Sequence, residues 1–450
     1  MTGNRTSVDP VLTLPVEITS EFFYQCLPTS CSDREWNTPD PREAPMLLLH
    51  VCKAWREIAI STSVLWSKME FSMHNNHGAD LWRTWLTRAE GRVLFIKLHR
   101  WIPEEDEDED SESEQEMTGT PLSTFLMLVH CAERIQSLEL STITINTLEK
   151  LAQASRGTCN FLSLEKLTVG LSPEDPSYDQ WPMPGESTTD PVIALTNSPL
   201  LHEVSLVKTP PSVLSLPWHQ ITTFTGTRLL CGDCLEVLQL SSNLTECAVA
   251  TGRIRADDVV KLTHSHLTSL TLFTEDGYGS ADLLESLTLP ALQTLHILDA
   301  DDFDENELNI FLSRSSPPLR KFVLRENTLT SLASETFQLM PSLTELEVWN
   351  PQYSVIPEFF RNLGGDPKFL PRLQHLAFVN SVYFSGILGD TQRGLKSRWD
   401  MRHDPMPVAQ LQSFRLTWKK VVVLEADALL PFRALIAEGL DISIESTNGD

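Results

Sequence analysis

Cysteine and histidine pairs in the middle of the chain are the residues best suited to metal chemistry. Cys231 and Cys234 are separated by two residues, and His264 and His266 follow further along the chain. A structural zinc site takes four such ligands, and the sequence has no second pair at the usual ligand spacing. Two interpretations stay open, a zinc site assembled by the fold and ordinary positions of a repeating structure, and the second is favoured.

An acidic segment around Asp302 suggests calcium, but its spacing does not fit. In a loop that starts at Asp302, the sixth position is Glu307 instead of glycine, and the twelfth is Ser313 instead of glutamate. Gly277 and Gly279 lack the third glycine of a nucleotide-binding loop. We therefore expect an exposed connection near Asp302, and no metal and no cofactor.

Motifs of the common enzyme classes are absent from the sequence. It contains no Gly-x-Ser-x-Gly, no His-Glu-x-x-His and no Walker phosphate loop. Its twelve histidines show no evident pairing of a nucleophile with a base. We predict a protein without catalysis of its own. An enzyme stays the third hypothesis, because a catalytic triad is assembled in space.

The composition limits the classes of partner and the compartments that are expected for this chain. The chain has 450 residues, 41% of them hydrophobic, and a formal net charge of -26. Such a charge repels nucleic acid and anionic membrane surfaces, so neither is expected as a partner. Eight scattered cysteines, no apolar leader in residues 1–10 and no apolar run of about twenty residues predict a cytoplasmic or nuclear protein. Residues 1–10 are expected to be disordered.

The elements that could position a binding site begin with a short N-terminal helix. Pro15 suits the first helical position, where its missing N–H is no loss. Ile18, Phe22 and Cys26 recur every four residues and therefore share one face. The polar and proline-rich segment 28–44 then predicts a loop.

Two further short helices are predicted before residue 70. Pro45 opens the second, and Ser61 or Ser63 caps the third. Their apolar residues are Leu48, Val51, Trp55 and Ile58 in the second and Leu65 and Trp66 in the third. A fragment this small cannot bury all these side chains by itself, so they need either the following domain or another protein.

Three blocks in this segment carry a resemblance to a known family. Leu14-Pro15-x-Glu17-Ile18, Val51-Cys52-x-x-Trp55 and Leu65-Trp66, in this order, resemble the F-box family, especially the fungal F-box-like proteins. The resemblance covers residues 11–70, and the long loop between Pro28 and Pro45 departs from it. It implies binding to the Skp adaptor of a Skp–cullin–F-box ubiquitin ligase. The residues implied to form or support that contact are Leu14, Pro15, Ile18, Phe22, Val51, Cys52, Trp55, Leu65 and Trp66.

A second pattern, L-x-x-L-x-L with other apolar residues allowed, repeats along the chain. It starts at residues 164, 201, 244, 267, 292, 319, 343, 373 and 411. Its alternating part predicts a strand whose leucines enter a core that only stacked units complete. The pattern resembles the leucine-rich repeats found after F-boxes. We therefore predict an α/β solenoid, with a short all-α F-box-like domain followed over 79–450 by an irregular leucine-rich-repeat arc of about eleven units.

Further segments extend this array in both directions. They are helices at 81–89, 122–135, 234–240 and 426–438, and strands at 94–98, 138–140 and 440–444. Ten acidic residues within Glu104–Glu116 predict a disordered, solvated loop at 103–118, alternatively a lure for basic partners. A long insertion at 383–407 carries Arg393, Lys396, Arg398 and Arg402, which either contact an acidic partner or neutralise nearby acidic surface.

Outward positions of the repeat strands form the face on which solenoids bind. The residues predicted to contact a target protein there are Phe273, His296, Arg325, Trp349 and His375. For Trp349, the simpler alternative is that its ring tucks under a neighbouring loop.

Together these patterns favour a non-catalytic substrate adaptor, in which the helices dock the Skp adaptor and the repeat face holds an unknown target. The rival hypothesis is a leucine-rich-repeat scaffold whose F-box-like helices only cap the array.

Overall fold

The computed structural model describes residues 14–28, 36–72, 78–99, 122–155, 160–172, 193–251, 261–273, 280–298, 305–325, 334–351, 355–381, 387–401, 408–418 and 430–446. The chain forms two compact units, Met1–Pro217 and Trp218–Asp450. Both are mixed α/β structures in which parallel strands alternate with helices. Within the described ranges, no helix is both long enough and apolar enough to cross a membrane.

The first unit contains a five-stranded parallel sheet in the order β1-β2-β3-β4-β6. Its helices are α1 (Val16–Gln25), α2 (Leu48–Val51), α3 (Lys53–Ser61), α4 (Gly78–Arg88), α5 (Leu122–Cys131) and α6 (Ile145–Ser155). Its strands are β1 (Lys68–Ser72), β2 (Leu94–His99), β3 (Ile135–Ile143), β4 (Lys166–Leu171), β5 (Ile193–Ala194), β6 (Glu203–Val207) and β7 (Leu214–Ser215). Strands β5 and β7 pair with each other.

The second unit contains a nine-stranded parallel sheet in the order β8-β9-β11-β13-β14-β15-β16-β17-β18 among its described residues. Its strands are β8 (Thr223–Leu229), β9 (Glu246–Thr251), β10 (Leu262–Thr263), β11 (Ser269–Phe273), β12 (Leu287–Thr288), β13 (Thr294–Leu298), β14 (Lys321–Arg325), β15 (Glu345–Trp349), β16 (His375–Ser381), β17 (Ser413–Trp418) and β18 (Asp441–Ser446). Its helices are α7 (Cys231–Leu240), α8 (Ser280–Ser286), α9 (Glu305–Ser315), α10 (Ser334–Gln338), α11 (Val355–Gly365), α12 (Ile387–Asp400) and α13 (Leu430–Ala437).

The repeated apolar pattern explains how each strand is placed. In β11, Leu270 and Leu272 are buried, whereas the residues between and beside them are half-exposed. The first leucine of this repeat, Leu267, is also buried, just before the strand. The same alternation recurs in β13 and β15. Each such repeat thus buries three apolar side chains against its neighbours, and each burial stabilises the fold by about 1.5–3 kcal/mol.

A shared backbone conformation occurs near the ends of several strands. Four residues after an inward side chain (Leu138, Val204, Phe224, Leu346 or Leu376), the backbone takes a positive φ between 52° and 56°. The residues in this position are Thr142, Lys208, Arg228, Asn350 and Asn380. The Asn350 amide donates to the Val379 carbonyl oxygen at 2.8 Å, so the turn is tied to the next strand. The conformation follows β6 and β15 directly, whereas in β3, β8 and β16 it lies within an irregularity of the pairing, after which one more residue pair continues the strand.

The N-terminal helices differ in detail from the predicted ones. Pro45 lies in a turn, and the second helix begins at Leu48. This helix is interrupted at Cys52, whose φ of -157° and ψ of 172° are extended. The third helix is a single 3-10 turn, Ser63–Trp66. Strand β1 follows at once, so the sheet begins inside the range 11–70 that the F-box resemblance covers.

The insertion predicted at 383–407 contains helix α12 instead of an extended loop. Arg398 is 2% exposed on this helix and donates to the carbonyl oxygens of Phe369 and Leu370. Burial lowers the pKa of Arg398 to about 10. Arg393 pairs with Asp390 one turn away. Arg398 therefore holds the helix in place and does not face a partner, while Arg402 lies outside the described residues.

Candidate docking surface on the N-terminal helices

Exposed apolar side chains are concentrated at the start of the chain. In the part of the chain that the structure describes, sixteen large apolar side chains are exposed, and eight of them fall within residues 14–60. These eight are Leu14, Val16, Ile18, Phe22, Tyr24, Leu47, Val51 and Ile60. Large apolar groups that cluster on a surface mark a binding site more often than scattered ones do.

Helix α1 has one buried side and one exposed apolar side. Thr19 and Phe23 are buried, and the Phe23 ring lies 5.0 Å from the ring of Trp55 on α3. By contrast, Ile18 is 47% and Phe22 is 55% exposed. Since α1 is fixed to α3 through its Phe23 side, the stripe predicted from the four-residue period faces outward. Cys26, the third residue of that stripe, is exposed as well.

The interruption between α2 and α3 presents a second group of apolar side chains. Leu48 and Leu49 are buried, whereas Val51 is 50% exposed. The Cys52 sulfur accepts a hydrogen bond from the Trp55 amide at 3.4 Å and so caps α3. The Arg56 guanidinium donates to the Leu49 carbonyl oxygen at 2.7 Å. These contacts hold the two helices in a fixed relation across the break.

The base of the docking surface is a buried aromatic cluster. Leu65 and Trp66 are fully buried. Trp66 donates from Nε1 to the Ala59 carbonyl oxygen at 2.8 Å, and its ring meets the Trp85 ring edge-on at 5.1 Å. The Arg88 guanidinium lies 4.4 Å from the centre of the Trp66 ring. These contacts connect the N-terminal helices to helix α4 of the repeat.

The structure thus divides the nine predicted adaptor-binding residues into three groups. Leu14, Pro15, Ile18, Phe22 and Val51 are exposed, Cys52 and Trp55 are half-buried, and Leu65 and Trp66 are buried. A partner can reach the first group directly. The last group shapes the surface from beneath. Val16, Tyr24, Leu47 and Ile60 were not predicted, because their exposure depends on which side of each helix packs inward.

On the second unit, strand pairing aligns three of the predicted target-binding residues. Phe273, Arg325 and Trp349 occupy one row across β11, β14 and β15, because Phe273 is opposite Leu298 and Leu298 is opposite Arg325. The Arg325 guanidinium lies 5.1 Å from the centre of the Trp349 ring. His296 belongs to the adjacent row.

His375 is separate from that row and lies at the start of β16, where its Nδ1 contacts the Ser413 hydroxyl at 2.8 Å. Trp349 is half-buried, and its Nε1 donates to the Glu347 carboxylate. Burial lowers the pKa of His296, which keeps this ring neutral near pH 7. The five residues therefore form a mixed surface of apolar and polar groups and not one closed site.

Within the described residues, the cysteine and histidine pairs make packing and hydrogen-bond contacts. His264 is buried, accepts a hydrogen bond at Nδ1 from the Leu267 amide and donates from Nε2 to the Ser241 carbonyl oxygen, both at 3.0 Å. Cys231, Cys234 and Cys247 are buried and are not joined by disulfides. Across the described ranges, no three cysteine, histidine or acidic side chains are grouped so that they could hold a metal ion.

These buried thiols are expected to resist alkylation in the native protein. Burial raises the pKa of Cys234, and it raises the pKa of Cys247 to about 12. At pH 8 we expect iodoacetamide to modify Cys234 and Cys247 at least about a hundred-fold more slowly than exposed Cys26, because the thiolate is the nucleophile. Peptide mass spectrometry follows each site, with urea-unfolded protein as the control. Equal native rates for Cys247 and Cys26 would contradict the packing of α7 on β9.

No family model and no curated protein matches this chain. The candidate docking surface is therefore described from the exposure and contacts of its own residues. Helices α1 and α2 carry exposed apolar side chains and both pack on α3, and Phe23, Leu65 and Trp66 of the same segment are buried. Such an arrangement of apolar anchors on a rigid support is what a specific protein interface requires.

Proposed function

We propose that this protein is the substrate-recognition subunit of a Skp–cullin–F-box ubiquitin ligase. In this proposal, its N-terminal helices form an F-box-like domain that binds the Skp adaptor, and an irregular leucine-rich-repeat arc binds the target. The observation that carries the proposal is the exposure of Ile18, Phe22 and Val51 within a segment whose residue blocks resemble an F-box. A partner that covers these side chains would gain a binding free energy of about 25 cal/mol for each Å² of apolar surface that is removed from water.

The rival hypothesis, in which the helices only cap the repeats, explains fewer of these residues. A cap needs Phe23, Leu65 and Trp66, which are buried against their neighbours. It gives no role to Ile18 and Phe22, which contribute no comparable packing. Because both groups occur in one short segment, capping and docking are compatible, and docking accounts for the exposed group.

The proposed mechanism requires no catalytic group on this chain. The adaptor end connects the protein to the ligase, and the outward face of the strands holds the target. Ubiquitin transfer by the partner enzymes is then accelerated by proximity, since a bimolecular encounter becomes an intramolecular one.

A direct test uses full-length protein and purified Skp adaptor. We expect Phe22→Asp combined with Val51→Asp to lower adaptor capture by at least about tenfold, because each charge would have to be desolvated in the interface. The matched control is Leu240→Asp with Ile310→Asp, two exposed apolar residues on α7 and α9. Both double variants are expected to keep the thermal midpoint of the wild type. Failure of the wild type to bind the adaptor would refute the proposal.

Truncation is less informative than these substitutions. Deleting residues 1–70 removes Trp66 and the first three residues of β1, which pairs with β2. The remainder would therefore lose stability whether or not the helices bind a partner. Point substitutions at exposed positions separate docking from capping, because they leave the buried base unchanged.

A further inference from the structure

A groove of about 790 Å³ runs along the first unit at the N-terminal ends of its strands. Its floor contains one residue from each of the five strands, and these residues are direct neighbours in the strand pairing. They are Lys68, Phe95, Ser137, Lys166 and Glu203. The groove thus crosses β1, β2, β3, β4 and β6 in order.

The opposite wall comes from the N-terminal segment and is held firmly. It includes Leu27 just after α1 and the pair Trp36 and Asn37. Asn37 is buried, donates from its side chain to the Leu65 carbonyl oxygen at 3.3 Å and accepts at its backbone oxygen from the Glu70 amide at 2.9 Å. These two bonds tie the wall to the start of the sheet, so the protein's own contacts hold the wall in place.

The charges in the groove are separated along its length. At the β1 and β2 end lie Lys68, whose ammonium is 5.0 Å from the Trp36 ring, and Arg92. At the β4 and β6 end lie Glu165 and Glu203, and Glu203 pairs with Lys166 at 2.7 Å. Among the described residues, the half-buried Glu165 carboxylate has no ion pair and no hydrogen bond. One end is therefore cationic and aromatic, and the other retains an uncompensated negative charge.

The length of the groove fits an extended peptide. Five neighbouring strands span four gaps of about 4.8 Å, or about 19 Å in all. An extended chain covers this distance with about six residues at 3.3 Å each. Beside the cationic end, Phe95 and Val93 and, on the opposite wall, Leu27 provide apolar contact area, and the polar Gln136 and Ser137 of β3 follow towards the other end.

We propose that this groove binds an extended peptide segment of a partner protein, with an acidic residue at the Lys68 and Arg92 end. A basic residue about five positions away lies at the Glu165 end, and an apolar side chain follows the acidic residue. The inference rests on the proposed function in one respect, since the peptide is then the recognition segment of the ubiquitination target. Complementary charges at the two ends determine which end of the peptide lies over which end of the groove, and they disfavour segments with like charges at both ends.

The test measures fluorescence anisotropy of two labelled hexapeptides with capped termini, Asp-Leu-Ala-Leu-Ala-Lys and Lys-Leu-Ala-Leu-Ala-Lys, with full-length protein. We expect saturable binding of the first and at least about tenfold weaker binding of the second, which would place a lysine beside Lys68 and Arg92. Glu165→Lys is expected to weaken the preferred peptide by a similar factor and to restore binding when the peptide lysine is replaced by glutamate. Glu149→Lys, an exposed position on α6, is the matched control and is expected to bind as the wild type does.

Absence of binding of the first peptide to the wild type, equal affinity of the two peptides, or equal affinity of Glu165→Lys and wild type would overturn the inference. Its failure can be distinguished from failure of the adaptor proposal. The Phe22→Asp and Val51→Asp variant is expected to bind the hexapeptide normally. Glu165→Lys is expected to capture the Skp adaptor normally, since Glu165 lies outside the exposed group on α1 and α2.

Discussion

Trp66→Ala is expected to lower the free energy of unfolding of the first unit by about 3–5 kcal/mol, although the same residue belongs to the blocks that resemble an F-box. The indole is fully buried, bonds to the Ala59 carbonyl oxygen and packs edge-on against Trp85. Alanine would leave a cavity and remove one of the two hydrogen bonds that the Ala59 carbonyl oxygen accepts, while the bond from the Thr62 amide at 3.3 Å would remain. Urea unfolding monitored by circular dichroism, with hydrogen exchange of peptides from residues 48–99, measures the loss.

Phe22→Ala is the control, because it also removes an aromatic ring from the N-terminal helices, but at a position on α1 that is 55% exposed. Its effect on stability is expected to stay within about 0.5 kcal/mol, as for other surface substitutions. Adaptor capture should respond in the opposite manner, with loss for Phe22→Ala in a fully folded protein. A Trp66→Ala protein as stable as wild type would show that the aromatic cluster is not the base of this surface.

The sheets could be predicted from sequence because their signal is local and repeated. Each L-x-x-L-x-L block sets which side chains of one strand enter the core, as at Leu270, Leu272 and Leu267, and β11 pairs with both β9 and β13 in the same register. The backbone turn with positive φ could not be predicted. It is occupied by residues as different as Thr142, Lys208 and Asn350, so no residue type identifies it.

The sequence identifies residues of the candidate docking surface, but it does not show which side of helix α1 faces outward. The sequence contains two neighbouring series on α1, Ile18 with Phe22 and Thr19 with Phe23. Because Ile18 and Phe22 are both apolar, the sequence favours their side of the helix as the one that packs against other residues. Which series packs against α3 depends on the Phe23 contact with Trp55, thirty-two positions later in the chain and beyond a loop whose course periodicity does not define.

The groove was missed for a related reason. Each strand contributes one or two residues at or beside its first position, such as Lys68, Glu165 and Glu203. In the sequence these are ordinary polar residues. Only the parallel pairing places them in one row. Because the segments between the first strands differ in length, no fixed period brings these positions into alignment before the fold is known.

Helix α12 was missed because its packing relies on small residues. Its inward positions include Thr391 and Gly394 beside Leu395 and Trp399, so the apolar stripe is diluted and the basic residues dominate the pattern. Ser397 donates to the carbonyl oxygen of Gly364 on α11. Close approach of two helices at glycines is a tertiary feature that a search for apolar periodicity does not detect.

Gly394→Ala is expected to destabilise the second unit by about 2–3 kcal/mol, because overpacking forces neighbouring atoms to move. A Cβ at position 394 would lie 2.6 Å from both the Cβ and the backbone oxygen of Phe360 on α11. Phe360 cannot yield easily, since its ring contacts both Phe378 and Phe414 in the core. The measurement is urea unfolding, with hydrogen exchange of α11 and α12 to locate the loss.

Gly389→Ala on the same helix should act in the opposite direction. A Cβ at position 389 would meet no atom within 4 Å. Alanine there is expected to raise stability by up to about 1 kcal/mol, because it reduces the conformational freedom of the unfolded chain and favours the helix. Two identical substitutions five residues apart with effects of opposite sign isolate the helix contact from helix propensity. Equal effects of the two would show that α12 does not pack on α11 through Gly394.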